Sequence, residues 1–240
     1  MEREEFFTKL FEKVHKIGID LTEKNMEQFY NYMNLLLEWN EKINLTAITE
    51  PNDIILKHFI DSVTINKYLF DKNKIIDIGT GAGFPGIPLK ILNEEKEFTL
   101  VDSLNKRISF LNEVKKELDL KYLNCIHGRV EEVARNKEFR EKFDVITSRA
   151  VARLNILAEY MLPFIEIGGI CICMKGSEIE EELEEAKKAI KVLGGEIEKV
   201  EHFYLDDTDI ERNIVIIRKV STTPKQYPRK AGTPAKQPIV

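Results

Sequence analysis

The chain has 240 residues, 43% apolar and 32% charged, with a formal net charge of −5. That length and apolar share allow one sizeable core with at most a small appendage, and no run approaches the roughly 18 consecutive apolar residues that span a bilayer. The start, Met1-Glu2-Arg3-Glu4-Glu5, is acidic without an apolar stretch beside it, which reads against a secretory signal.

Three cysteines without framework spacing read against disulfides and for a reducing cytoplasm; Cys125, Cys171 and Cys173 sit in apolar runs and read as core thiols. Charge is placed unevenly. From Arg212 onward there are seven basic residues and no acidic one, against 29 basic and 41 acidic before it. Such a tail on an acidic body is either an arm for a polyanion or a solvated end.

Residues 1–70 read as a helical region. Met26, Phe29, Tyr30, Met33, Leu36 and Leu37 recur at helical spacing, and Thr22 is placed to cap that helix. A further helix begins near Thr49 or Glu50 with Pro51 in its first turn, and its apolar side is Ile54, Ile55, Phe59, Val63 and Tyr68. Between them, the asparagines and threonine of Trp39-Asn40-Glu41-Lys42-Ile43-Asn44-Leu45-Thr46 are suited to bonding backbone and fixing a turn.

Short β-branched runs then alternate with helical stretches, at residues 75–78, 98–101, 123–127, 143–147 and 170–174. This is the pattern of βαβ units around a parallel sheet. A helix over 178–193 is acidic first and basic last, as the helix dipole favours, and Gly194-Gly195 ends it. Strands at 196–205 and 213–219 are joined by too short a link for a crossover, which predicts an antiparallel hairpin. The expected fold class is therefore α/β: a seven-stranded, mostly parallel, Rossmann-like sheet (residues 71–220) behind the helical region. Residues 221–240 form a basic tail, with prolines at 224, 228, 234 and 238, that reads as extended or disordered.

Asp77-Ile78-Gly79-Thr80-Gly81-Ala82-Gly83-Phe84-Pro85-Gly86 lies between the first strand and a helix. Glycines there let backbone approach a ligand, and the following helix start favours an anion. Asp102, at the end of the second strand, is an acceptor for two ribose hydroxyls. Residues 81–86 formally satisfy GxGxxG, so an NAD(P)-dependent oxidoreductase stands beside a class I methyltransferase, and a purely structural turn beside both. Asp77 before three alternating glycines and the terminal hairpin favour the methyltransferase. No proton-donor constellation of the kind a nicotinamide enzyme needs stands out among His15, His58, His127 and His202.

The segment from Trp39 to Thr46, His58-Phe59-Ile60-Asp61-Ser62, residues 79–88, Lys106-Arg107-Ile108-Ser109-Phe110-Leu111, Ser148-Arg149-Ala150-Val151-Ala152 and Tyr227-Pro228-Arg229-Lys230-Ala231-Gly232-Thr233-Pro234 together resemble the RsmG (GidB) family, in order and over nearly the whole chain. That family methylates N7 of one guanine in 16S ribosomal RNA. The resemblance implies S-adenosyl-L-methionine as cofactor, held at Gly79 and Phe84, around Asp102, Ser103 and Leu104, at Val130 and Glu131, and at Arg149. Gly81 and Gly83 complete the expected cradle.

Guanine N7 carries an exposed lone pair, so its methylation needs no base, and positioning carries the catalysis. Thr147-Ser148-Arg149-Ala150 also lacks the Asn-Pro-Pro-aromatic motif of exocyclic-amine methyltransferases. Arg149 and Lys175 are the expected catalytic cations, with Lys175 or Arg153 donating to guanine O6. Arg153, Arg218, Arg229 and Lys230 are the candidates for the RNA itself, with Arg107 and Arg129 as likely to be ordinary surface. The expected partner is 16S RNA or a small-subunit particle, with no membrane and no metal. A monomer is favoured because no coiled-coil pattern or long apolar face is evident. A small-molecule methyltransferase and a non-catalytic ribosome-assembly factor are the remaining alternatives.

Overall fold

The computed structural model describes residues 1–177, 179–206 and 208–240. Helices α1 (Arg3–Lys16) and α2 (Glu23–Ile43) open the chain. Thr22 caps α2 as expected: its hydroxyl accepts from the Asn25 N–H, while the Asn25 side chain accepts from the Thr22 N–H, both at 3.1 Å. Asn44, at φ 48°, ends it.

The next helical segment starts at Pro51 but is not a uniform α-helix. A short α3 (Pro51–Asp53) and α4 (Asp61–Val63) flank a π-helical stretch, Ile54–Ile60. The wider π turn packs Ile54, Ile55, Phe59, Ile60 and Val63 inward while His58 and Asp61 are also buried.

Among the described residues, seven strands form one sheet: β1 (Lys74–Ile78), β2 (Glu97–Asp102), β3 (Leu123–His127), β4 (Phe143–Arg149), β5 (Ile165–Lys175), β6 (Gly195–Tyr204) and β7 (Glu211–Lys219). Their order is β3-β2-β1-β4-β5-β7-β6, the first five parallel, with β7 antiparallel to both neighbours. The hairpin is as expected, and Asp207 of its link lies outside the described residues. β5 begins earlier than the β-branched run indicates. Ile165 pairs with Phe143, then the register slips over residues 166–169, which include Gly168 and Gly169, before Ile170 meets Val145.

Alternation along β1 and β2 divides the core. Ile75, Phe98 and Leu100 join the cluster covered by α1, α2, α5 (Gly86–Leu92) and α6 (Asn105–Glu117). Ile76, Ile78 and Val101 face the cluster under α8 (Leu154–Met161) and α9 (Glu180–Val192). α9 follows the expected helix, whose proposed first residue, Glu178, lies outside the described residues. Cys171 and Cys173 are buried in this second cluster, as core thiols.

The tail corrects the sequence reading. It is seated on the body at particular points: Pro228 and Pro234 are buried, and a helical turn, α10 (Thr233–Lys236), forms with Pro234 in its first turn. Arg140 donates to the carbonyls of Tyr227 at 2.8 Å and Thr223 at 2.9 Å, and Arg135 to that of Pro228 at 3.0 Å.

Between β1 and α5, the turn is held from beneath by Asp77. Its carboxylate accepts the Gly86 N–H at 3.2 Å and the Thr147 hydroxyl at 3.0 Å, and complete burial raises its pKa to about 6 against these bonds. Because the folded value lies above the unfolded one, the folded chain binds the proton more readily between pH 4 and 6. Asp77 therefore favours the folded state at low pH, and that contribution is lost as pH rises through about 6. Asp77→Asn removes the ionisation. Going from pH 7 to pH 4, wild-type stability is expected to rise relative to the variant by about 2 kcal/mol. Urea unfolding of both proteins across that range measures it, and parallel profiles would count against the buried charge.

Candidate functional site

The sheet reverses its order between β1 and β4, and the crevice at the carboxyl ends of these strands is where open α/β sheets bind ligands. The glycine turn lies there. Gly79 has φ +61°, and a Cβ on it would meet Val151 Cγ2 at 2.6 Å, so both the conformation and the space require glycine. Asp102, 3% exposed, braces the turn from the side: Oδ2 accepts the Gly81 N–H and Oδ1 the Leu104 N–H, each at 2.9 Å. Arg107 Nη1 lies 3.3 Å from Oδ2. A carboxylate has about four acceptor positions, so with three in use Asp102 retains one, on Oδ1, for a ribose hydroxyl. From α2, the Tyr32 hydroxyl donates to the Ala82 carbonyl, and its ring packs on Phe59 and Phe84.

Two cavities meet at Gly79. The smaller, about 240 Å³, brings together Gly79, Asp102, Ser103, Val130 and Glu131. The larger, about 600 Å³, brings together Gly79, Gly81, Phe84, Arg149 and Lys175. Nine of the eleven expected cofactor-binding and catalytic positions thus line one cavity or the other. Gly83 and Leu104 line neither: the Cα of Gly83 faces Ile87 and Tyr32, and Leu104 contributes its N–H to Asp102.

The larger cavity contains a network that the sequence did not assign. Asp61, 1% exposed, divides its carboxylate between two arginines: Oδ2 accepts from Arg149 Nη1 at 2.9 Å, and Oδ1 from Arg212 Nε at 2.8 Å. Arg149 also donates to the Lys57 carbonyl at 3.2 Å and approaches His58 Nδ1 at 3.3 Å, with its guanidinium 5.1 Å from the Phe84 ring centre.

Guanidinium only donates, so His58 Nδ1 is an acceptor and Nε2 carries the proton, directed to the Thr46 hydroxyl oxygen at 2.9 Å. Burial, then the Arg149 charge, push the His58 pKa down to about 3, so the ring is neutral, and it stacks on Phe84 at 4.2 Å. The Thr46 oxygen also accepts from the Ile48 N–H at 3.0 Å. Both its lone pairs are committed, which leaves the hydroxyl proton for an acceptor elsewhere. Asn40 fixes this loop as expected, accepting from the N–H groups of Leu45 and Thr46.

Among the described residues, five cations, Lys57, Arg107, Arg149, Lys175 and Arg212, line the larger cavity alongside one carboxylate, Asp61, while Lys57, Arg107 and Lys175 also pair with Asp53, Asp102 and Glu182 outside its lining. In a chain of net charge −5 this is a local reversal of sign. Lys175 is braced by Glu182 at 2.6 Å and donates to the Ala152 carbonyl at 2.9 Å. Arg153, the other expected O6 donor, does not line this cavity and pairs with Glu185 and Glu181 on α9.

The expected RNA residues are dispersed. Arg218 pairs with Glu198, and its strand register places it opposite Ile170, whereas Asn213 faces Lys175 at the site edge. Arg229 is clamped by Glu159, whose carboxylate accepts from its N–H at 2.6 Å and its Nη2 at 2.7 Å. Lys230 is exposed. Thr46, Lys57, His58, Asp61 and Arg212 were the omissions. Two signals were available: Thr46, His58 and Asp61 lie in segments that carry the family resemblance, and the i, i+3 spacing of His58 and Asp61 places two polar groups on one side of a mostly apolar helix.

Solved structures of similar fold include an O-methyltransferase from Bacillus cereus, at TM-score 0.57 and 14% identity over 91% of this chain and 100% of that one. A SAM dependent methyltransferase from Aquifex aeolicus matches at TM-score 0.53 and 16% identity, over 71% and 94%. At the sequence level the similarity is far greater. A chain from Clostridium tetani named ribosomal RNA small subunit methyltransferase G is 53% identical, over 93% of this chain and 94% of its own length. Its counterpart from Brevibacillus brevis is 55% identical over the same shares. The model of the GidB family, rRNA small subunit methyltransferase G, matches residues 25–215. The chain therefore belongs to the rRNA small subunit methyltransferase G family of S-adenosylmethionine-dependent enzymes.

Proposed function

We propose that this enzyme transfers a methyl group from S-adenosylmethionine to N7 of a guanine in 16S ribosomal RNA. The observation that carries the reading is the meeting of two chemically different cavities at Gly79. The smaller has an acceptor for ribose, Asp102, beside the apolar Val130. The larger is cationic and wide enough for the methionine end and a base. Bound across the turn, the cofactor supplies an activated methyl for in-line transfer.

The chain's own residues then position and hold. Arg149, oriented by Asp61 and His58, meets an anionic group, either the methionine carboxylate or an RNA phosphate. Lys175, immobilised by Glu182, and the Thr46 hydroxyl are the donors available to guanine O6. None of these takes a proton from the substrate, in keeping with a nucleophile that already has a lone pair. We assign residues 71–220 as the methyltransferase unit. Residues 1–70 give the larger cavity its Thr46, His58 and Asp61, and 221–240 are the tail. Lys230 is the tail's candidate for an RNA phosphate. Arg153 and Arg218, both ion-paired at the surface, are candidates for backbone contacts away from the reacting base, and Arg229 needs release from Glu159 to serve.

No helix among the described residues is long and apolar enough to cross a membrane, and ribosomal RNA as substrate agrees with a cytoplasmic enzyme. We read it as a monomer acting on a structured particle, because an acidic body repels naked RNA outside the cationic cavity.

Incubation with methyl-labelled S-adenosylmethionine and small ribosomal subunits, followed by strand cleavage at N7-methylguanine, is expected to place the label on one guanine. Label on an exocyclic amine, or none on RNA, would overturn the proposal. In the same assay, assembled subunits are expected to be methylated faster than protein-free 16S RNA, and equal rates would remove the particle from the reading. Asp61→Asn leaves two guanidinium groups without the carboxylate they share. Breaking one partner of a buried pair costs about 3–5 kcal/mol, so a fall of at least tenfold in kcat/KM and a lower Tm are expected. Unchanged kinetics would exclude Asp61 as a positioning residue.

A further inference from the structure

The cavity assigned above to the nucleoside end of the cofactor is not built from the sheet and its loops alone. Gly232 and Ala235, from the C-terminal tail, line it opposite Val101, Asp102 and Val130. Two buried carboxylates seat that stretch of tail. Glu131, 4% exposed, accepts the Gly232 N–H at 2.8 Å, and Glu159, 1% exposed, holds Arg229 through both its N–H and its guanidinium.

A carboxylate is costly to bury unless hydrogen bonds or cations satisfy it. The tail supplies those partners, so its seating and the position of Glu131 in the cavity depend on each other. The cavity also has the character of an adenine site: apolar surfaces from Val101, Val130 and Ala235, with polar groups from Asp102, Ser103 and Glu131. One Glu131 oxygen is committed to Gly232, and the other is an acceptor for an exocyclic amine.

We propose that residues 227–235 are a working part of the cofactor site, completing the wall of the adenine pocket and fixing Glu131 within it. This rests on reading the smaller cavity as the nucleoside end, and it gives the tail a role at the cofactor, apart from any contact with RNA. The tail carries the pocket wall on Gly232 and Ala235 while its lysines 225, 230 and 236 face solvent.

Calorimetric titration with S-adenosylhomocysteine tests it on three proteins: the intact chain, a chain ending at Pro224, and Ala235→Tyr. Ala235 is exposed and lines the cavity, so a larger side chain there has room without displacing the core and takes up space at the pocket. Circular dichroism and Tm check folding. The intact chain is expected to bind, and both variants to bind at least tenfold more weakly, Ala235→Tyr with its Tm unchanged. If truncation unfolds the chain, Ala235→Tyr decides alone. Binding by the intact chain with equal affinity in every folded variant would overturn the tail's part while leaving the cavity assignment standing. No binding by the intact chain would overturn that assignment and this proposal together.

Discussion

Two buried carboxylates hold the backbone of the glycine turn. Asp77 takes the N–H at its far end, on Gly86, and Asp102 takes the one at its middle, on Gly81. Neither interaction requires a particular side chain in the turn, so glycines can occupy the positions where backbone must pass close to Val151 and to a ligand. The remaining site geometry refers to this turn. Tyr32 attaches the N-terminal helices to it at Ala82, and Phe84 is the platform on which His58 stacks and over which Arg149 lies.

The second organising constraint is the sharing of Asp61. Two arginines converge on one carboxylate, so positive charge accumulates in the larger cavity without isolated cations in the interior. His58 is kept neutral, which makes it an acceptor for Arg149 instead of a competing charge. An acidic protein can thus offer a polyanion a cationic entry.

Local pattern made most of the fold legible. Parallel strands buried on both faces appear as β-branched runs, and β1 to β4 fall where those runs do. β5 was shortened in the sequence reading because its glycines disguise a bulge as a turn. The glycine turn, Asp102 and Arg149 were legible because their roles follow from position at strand ends. The Asp61 network was not. Its partners lie 88 and 151 residues away, and periodicity reports which face is buried, not what a buried carboxylate touches. The tail failed for the same reason. Its prolines correctly argued against a long helix, but the residues that seat it, Glu131, Arg135, Arg140 and Glu159, are 70 or more positions upstream.

The most direct test of the account is a crystal structure with S-adenosylhomocysteine bound. The bound molecule is expected to place a ribose hydroxyl on Asp102, the adenine in the smaller cavity beside Val130 and Glu131, and the chain past Gly79 so that the sulfur faces the larger cavity. A nucleoside seated among Arg149, Lys175 and Arg212 instead would contradict it, because the cationic cavity would then hold the cofactor and leave no place for the guanine.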